Sequence, residues 1–255
     1  MLTRRQFVTM CISSILSVGC IDSLYKNSLK VEAAGKEIPA LLYHRVGYTA
    51  GGLTITPERF TADLTQLVKS GYQTISLKQF EDYLQDKKVD LPDKPVLITF
   101  DDGYLDNYEN AFPILQQFSM KATFFIVTGM LLTNEDRMLP EHIKKMAEAG
   151  MSFGSHTVSH RPLTEMTLDE VQEELSQSKA VLEDILGIPV DAVSYPRGSY
   201  NSTILKIVQA NGYIAGFTVV NGICSKSSRL LELRRIPVFG YDGDVLSVIA
   251  KRRWG

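Results

Sequence analysis

The sequence has 255 residues, of which 44% are hydrophobic, enough for one sizeable α/β domain or at most two small ones. The 27 Lys and Arg residues nearly balance the 29 Asp and Glu residues, so the composition indicates neither a nucleic-acid partner nor a disordered acidic tail. Ordinary usage of Gly (18) and Pro (10) excludes fibrous and low-complexity classes, and three cysteines are too few for a disulfide framework.

Residues 1–20 have the pattern of an export signal. Arg4 and Arg5 precede an apolar run over residues 7–18, which is too short to span a bilayer. The arginine pair fits a twin-arginine signal and the basic start of a Sec signal equally well. Both interpretations predict that the mature protein works outside the cytoplasm, secreted or held at the outer face of a bacterial membrane.

The segment Leu16-Ser17-Val18-Gly19-Cys20 is similar to a lipobox, with Ser17 where a large apolar residue is usual. We therefore expect Cys20 to carry a lipid that attaches the protein to a membrane; the alternative is that Cys20 belongs to a discarded peptide. The polar residues 21–37 are typical of a tether. Residues 38–255 then form one domain, which we expect to be monomeric.

The first predicted elements of this domain are a strand over residues 40–43 and a helix that begins at Thr56-Pro57 and ends at Gly71. The apolar runs 95–100 and 122–127 are typical of strands buried on both faces of a parallel sheet. A helix over residues 108–118 connects them.

A capping box at Thr167 and Glu170 predicts a helix that ends at Gly187. Strands over 192–195 and 215–220 flank a helix over 202–211. Such alternation predicts a parallel sheet, either open or closed into a barrel. The inward-facing residues expected on the capped helix are Leu168, Val171, Leu175, Leu182 and Ile185.

Polar residues follow two of the predicted strands. Asp101 and Asp102 come after the strand 95–100, where two carboxylates at a buried strand end would be stabilised by a cation; a solvated Asp-Asp-Gly turn is the alternative. His156 and His160 follow a strand-like segment, and a helical turn would place both imidazoles on one side. Two imidazoles and one carboxylate form a ligand set that catalytic zinc uses, unless the histidine pair is incidental.

A third polar segment, Ser194 to Asn201, follows the strand 192–195. Pro196 and Gly198 predict a sharp loop that can direct a backbone N–H, near Arg197, into a cleft; a plain turn is the alternative.

In this order and spacing, the segments Thr99-Phe100-Asp101-Asp102-Gly103 and His156-Thr157-Val158-Ser159-His160 resemble the polysaccharide deacetylases, the NodB-homology domain of carbohydrate esterase family 4. The resemblance extends from about residue 38 to 238. The starting segment 40–46 and the closing segment 235–238 are similar to the branch that acts on biofilm poly-N-acetylglucosamine. The resemblance implies a single-domain distorted (β/α) barrel.

The resemblance also implies residue roles. Asp101 matches the general base, and Asp102, His156 and His160 match the ligands of one divalent metal ion, Zn²⁺ or else Co²⁺, Ni²⁺ or Fe²⁺. No histidine follows His160, but the biofilm branch carries its acid near the N-terminus, where His44 fits.

The alternative for His44 is a histidine at a strand end that bonds to the backbone, and His142 is assigned no role. Residues Pro196, Arg197, Gly198 and Tyr200 match the loop at the substrate oxyanion. An arginine that contacts the base in many members has Ser194 at its position, which leaves Arg197, Arg45 or Arg235 for that contact.

The implied activity is metal-dependent removal of acetyl groups from N-acetylglucosamine units of an extracellular polysaccharide similar to poly-β-1,6-N-acetylglucosamine. Deacetylation of peptidoglycan, chitin or acetyl-xylan is one alternative. A non-catalytic surface module that binds sugar is the other.

Overall fold

Ten strands and seven α-helices alternate along residues 35–253, the part of the chain that this computed structural model describes. The strands are β1 (Ala40–Tyr43), β2 (Arg45–Val46), β3 (Thr54–Ile55), β4 (Tyr72–Thr74), β5 (Lys94–Phe100), β6 (Thr123–Ile126), β7 (Ser152–Ser155), β8 (Ala192–Ser194), β9 (Ala215–Asn221) and β10 (Leu233–Pro237). The helices are α1 (Pro57–Lys69), α2 (Leu77–Leu84), α3 (Phe112–Gln117), α4 (Pro140–Glu148), α5 (Leu168–Leu186), α6 (Ser202–Ala210) and α7 (Val245–Arg252).

The predicted signal segment, Cys20 and most of the predicted tether lie outside the described residues. Among the helices that are described, none combines the length and the apolar character needed to cross a bilayer.

The strands close into a barrel. β1 pairs in parallel with β10 on one side and with β5 on the other, and β6 to β9 complete the ring. β4 adds to the outside of β5, while β2 and β3 form a separate parallel pair. The barrel decides between the two architectures that sequence periodicity left open, and the expected α/β barrel fold is confirmed.

Alternation along each strand divides the core into two layers. On β5, Val96, Ile98 and Phe100 belong to the large cluster between the strands and the helices, whereas Leu97 belongs to a cluster inside the barrel. Because side chains alternate with a period of two, Thr99 and then Asp101 continue the inward series. The buried strand predicted over 95–100 is confirmed, and the same alternation determines which polar residues face the barrel interior.

The capping residues in the sequence predicted the starts of α1 and α5 correctly. Thr56 caps α1 by accepting from the backbone of Arg59, and the capping box of Thr167 and Glu170 opens α5, which ends at Gly187 with a φ of 69°. Within the helix predicted over 108–118, however, the first turn is a π-helix (Asn107–Ala111) that precedes α3.

The inward position expected for Leu168 is wrong. Leu168 is 54% exposed because it is the first residue of α5, one turn before the buried stripe that begins at Val171.

Candidate active site

Asp101 forms a buried ion pair with Arg235 across the barrel interior. The two terminal guanidinium nitrogens donate to the two carboxylate oxygens over 2.8 and 2.7 Å. The other N–H groups of Arg235 donate to the Thr218 carbonyl and to the hydroxyls of Thr99 and Ser194. All five guanidinium donors are therefore satisfied, which allows a fully buried arginine (0% exposed) to remain charged.

The charge on Asp101 is set by this environment. Burial alone would raise the pKa of the carboxyl, but the positive charge of Arg235, together with His156, outweighs burial and lowers the pKa below its ordinary value. The Ser194 hydroxyl donates a further hydrogen bond to the same carboxylate over 2.9 Å. Arg235, and neither Arg45 nor Arg197, is thus the arginine that contacts Asp101.

Asp102, His156 and His160, called here the Asp–His cluster, bring three ligand atoms within 4.8 Å of one another. The Nε2 atoms of His156 and His160 lie 3.4 and 3.2 Å from the Asp102 Oδ1. Burial opposes ionisation of Asp102, but the two imidazoles outweigh it and lower the pKa of this carboxyl well below its usual range.

The tautomer of His156 explains why the Asp–His cluster suits a cation. The Nδ1 of His156 lies 2.8 Å from the Ser194 carbonyl oxygen, which can only accept, so the proton of a neutral ring belongs on Nδ1. The lone pair of Nε2 then faces a carboxylate oxygen of Asp102. Both atoms are hydrogen-bond acceptors, so they repel each other. A divalent cation held by two imidazole nitrogens and one carboxylate oxygen removes that conflict, so the donor set fits the expected metal.

The backbone that carries these ligands is not helical, and the helical turn expected for residues 156–160 is wrong. Thr157 and His160 have φ values of 65° and 63°. The Glu174 carboxylate on α5 accepts from the backbone N–H groups of Val158 and Ser159 over 2.8 and 2.9 Å, which stabilises this loop. Asp102 itself has a φ of 75°, and such left-handed non-glycine residues cluster at functional sites.

His44 follows β1 as Asp101 follows β5. The paired residues Tyr43 and Phe100 immediately precede them, and the Asp101 N–H donates to the Tyr43 carbonyl over 3.0 Å. His44 therefore lies on the strand next to that of Asp101, at the same end of the barrel. Burial lowers the pKa of His44, opposed by the nearby carboxylates of Asp101 and Asp102. Its Nδ1 is buried and has no hydrogen-bond partner among residues 35–253.

The loop that holds His44 is anchored by a polar network. The Asn107 side-chain amide donates to the His44 carbonyl over 2.8 Å and to Asp106 over 3.1 Å. Arg45 donates to Asp106 over 2.7 Å and to both oxygens of Asp136, and Tyr104 lies beneath its guanidinium. This role of Arg45 differs from the contact with Asp101 that the sequence left open to it.

The segment after β8 forms the expected sharp loop. Pro196–Gly198 form a tight turn in which Arg197 is left-handed, with a φ of 55°, and has an exposed side chain. Tyr200 stacks on Tyr195 with ring centroids 5.1 Å apart, and its hydroxyl donates to Glu232 over 3.4 Å. The side chain of Tyr200 therefore contacts Tyr195 and Glu232 and takes no part in the Asp–His cluster.

The roles of Thr99, Ser194 and the Thr218 carbonyl were not predicted from the sequence. The contact of Thr99 could have been predicted, since Thr99 lies two residues before Asp101 along the same strand and must face the same side. No signal identified the Thr218 carbonyl, because a backbone oxygen carries no sequence information.

Residues 88–216 match the family described as polysaccharide deacetylase. The Bacillus subtilis protein YxkH, whose name gives polysaccharide deacetylation as a provisional assignment, is 36% identical over 211 residues, which cover 82% of this chain and 74% of that protein. The poly-β-1,6-N-acetyl-D-glucosamine N-deacetylase of Staphylococcus aureus is 26% identical over 196 residues, covering 72% of this chain and 67% of the relative.

Among solved structures, the Streptococcus pyogenes deacetylase PplD in complex with acetate superposes with a TM-score of 0.79. It is 30% identical, and the match covers 86% of this chain and 98% of PplD. The chain thus belongs to the polysaccharide deacetylase family (carbohydrate esterase family 4), whose members are hydrolases that act on amide bonds and use a divalent metal ion.

Proposed function

We propose that this protein removes acetyl groups from N-acetylglucosamine units of an extracellular polysaccharide similar to poly-β-1,6-N-acetylglucosamine. The observation that carries the proposal is the position of His44 at the end of β1, on the strand next to that of Asp101. An N-terminal histidine at this position replaces the late histidine that this chain lacks. Similarity to the Staphylococcus aureus N-deacetylase supports the same substrate class.

The Asp–His cluster would hold one divalent ion, with Zn²⁺ the first expectation from its two imidazoles and one carboxylate. When bound, the ion supplies Lewis-acid stabilisation and increases the acidity of water. The carbonyl of Ser194 orients the ring of His156, so this one ligand is in position before an ion binds.

Asp101 is the general base in this proposal. Its carboxylate remains ionised because Arg235 stabilises the negative charge, and both of its oxygens are held in place by the guanidinium. A carboxylate fixed in this way can accept a proton from the attacking water without having to reorient. Asp101 is thus positioned by Arg235 and Ser194 and not by the metal ligands.

His44 is the general acid. Amide hydrolysis requires a proton on the departing nitrogen, and the half-buried imidazole lies at the end of β1, beside the strand that carries Asp101. Asn107, itself bonded to Asp106, holds the backbone carbonyl of His44. The backbone position from which the ring extends is therefore fixed.

The loop of Pro196, Arg197 and Gly198 would stabilise the substrate oxyanion through the backbone N–H of Arg197. This role is supported by the position of Arg197 in the turn that follows β8, the strand that ends at Ser194, and by its left-handed backbone.

We also propose that the chain is exported and that Cys20 anchors it at the outer face of a membrane. The arginine pair, the short apolar run and the lipobox-like sequence before Cys20 support this localisation. A polymer-modifying enzyme held there by residues 21–37 would meet its substrate outside the cell.

The test of the proposed function is acetate release from β-1,6- and β-1,4-linked N-acetylglucosamine oligomers and from acetyl-xylan, each with and without a chelator. We expect release that depends on metal and is fastest on the β-1,6 oligomer. Faster release from a β-1,4 oligomer or from acetyl-xylan would contradict the proposed substrate. Binding without any metal-dependent release would indicate a sugar-binding module.

A further inference from the structure

Two exposed tyrosines, Tyr48 and Tyr241, called here the tyrosine rim, lie on loops at the active-site end of the barrel. Tyr48 follows β2, four residues after His44, and Tyr241 follows β10, the strand of Arg235. The two side chains are 73% and 74% exposed. Tyrosine is enriched at binding surfaces because its ring offers an apolar face and its hydroxyl remains in water.

The two loops contact each other directly. The Gly240 N–H donates to the Gly52 carbonyl over 2.8 Å. A side chain on Gly52 would begin 3.3 Å from the Tyr241 ring, and one on Gly240 would collide with the Thr54 carbonyl oxygen. Glycine at both positions therefore permits this close approach, which places Tyr241 against the loop that carries Tyr48.

The Tyr241 ring is held in place. It stacks on Phe239 with centroids 5.2 Å apart and planes inclined by 16°. Asp242 accepts from the Phe239 N–H over 2.8 Å, and Arg252 binds both oxygens of Asp242 over 2.7 and 2.8 Å. A ring fixed before binding loses little conformational freedom when a ligand arrives.

The Tyr48 ring is also oriented, because its hydroxyl donates to Glu58 over 2.6 Å. The chain limits how far Tyr48 can lie from the catalytic residues: Tyr48 is four positions after His44, so their Cα atoms lie within about 14 Å. The tyrosine rim is thus near enough to contact a sugar unit close to the one that His44 and Asp101 address.

We propose that the tyrosine rim is a sugar-binding subsite that stacks on neighbouring units of the polymer during deacetylation, an inference that rests on the proposed function. A pyranose ring presents a face of C–H groups, and this apolar face packs on a fixed aromatic ring while the hydroxyls stay in water. Tyr241, supported by Phe239, provides the larger platform. The tyrosine rim therefore contributes to polymer binding and not to the hydrolytic step.

The experiment compares Tyr241→Ala, Tyr48→Ala and Tyr241→Phe with the unchanged full chain. Two substrates are used: a β-1,6-linked N-acetylglucosamine pentamer, and p-nitrophenyl acetate, which carries no sugar. Calorimetry measures the dissociation constant of the pentamer alongside its KM. Ile188→Ala is the matched control, since Ile188 is 61% exposed but precedes β8 and so lies at the opposite end of the barrel.

We expect either alanine variant to raise the pentamer KM and dissociation constant roughly tenfold, the size of one lost aromatic contact. Ester hydrolysis should be unchanged, and Tyr241→Phe and Ile188→Ala should behave as the unchanged chain. A pentamer dissociation constant equal in all variants, or no binding by the unchanged chain, would overturn the subsite. If the unchanged chain binds the pentamer but releases no acetate, the proposed function fails, while weaker binding by Tyr241→Ala would still support the subsite.

Discussion

Arg235 and Asp101 are joined by two parallel hydrogen bonds of 2.8 and 2.7 Å inside the barrel, although 134 positions separate them in the sequence. β1 lies between the strands that carry them, pairing with β10 on one side and β5 on the other. The closure of the barrel therefore creates the ion pair. It also places His44 at the end of β1, the strand between the two that lead to the partners.

Replacement of Arg235 should damage both stability and activity. Arg235→Met leaves the Asp101 carboxylate buried without its cation, and breaking a buried pair in this way costs about 3–5 kcal/mol in the free energy of unfolding. Arg235→Lys keeps the charge but loses the two-pronged geometry, so acetate release should fall even if the fold survives. Chemical denaturation and acetate release measure the two effects.

Arg234→Met is the control, because Arg234 is the exposed neighbour of Arg235 on the same strand. It should retain both stability and activity. A stable and fully active Arg235→Met variant would show that Asp101 does not depend on this arginine.

The Asp–His cluster should determine metal content. His160→Ala removes one of three ligand atoms and should lose most of the bound divalent ion together with activity. His142→Ala is the matched control, since His142 stacks on Tyr108 with centroids 4.1 Å apart and takes no part in the cluster. Elemental analysis of purified protein makes the comparison. Stoichiometric metal in a chain with alanine at all three cluster positions would remove the cluster from consideration.

The sequence predicted the candidate catalytic and metal-binding residues better than the residues that hydrogen-bond to them. The sequence identified Asp101, Asp102, His156 and His160 because acidic residues and histidines follow predicted strands in an order that resembles a known family. Strand alternation could also have placed Thr99 beside Asp101. The partner of Asp101 could not be chosen, since only the closure of β1 onto β10 brings Arg235 to it, and backbone contacts such as those of Thr218 and Ser194 depend on the folded path.

Glu81 on α2 should make stability fall as pH rises. Burial, with the nearby charge of Asp191, raises the pKa of this carboxyl to about 7. The folded chain therefore holds a proton that the unfolded chain releases near pH 4.5, so stability decreases between these values as pH increases. The full loss for Glu81 is about 3 kcal/mol by the usual conversion of pKa shift to free energy.

Glu81→Gln tests this effect, because glutamine resembles the protonated acid and does not ionise. The difference in unfolding free energy between Glu81→Gln and the unchanged chain should grow in favour of the variant from pH 5 to pH 8. Glu173→Gln, at an exposed carboxylate on α5, provides the control. A difference that stays constant with pH would mean that Glu81 is ionised throughout.

Export should leave a lipid on Cys20. Metabolic labelling with a fatty acid should mark the unchanged chain and a Cys11→Ala variant but not Cys20→Ala, since only Cys20 ends the lipobox-like segment. Equal label in the Cys20→Ala variant would rule out Cys20 as the anchor. Retention of the chain in the cytoplasm would contradict the proposed localisation.

The most direct test of the central claim, that His44 delivers the proton to the departing nitrogen, compares two leaving groups in a His44→Ala variant. Turnover on an N-acetylglucosamine amide should fall roughly 10²–10⁴-fold, the usual contribution of a general acid. An activated acetyl ester, whose leaving group needs little protonation, should lose far less, and metal content should equal that of the unchanged chain. Equal losses on the amide and the ester, or loss of metal together with activity, would contradict this role for His44.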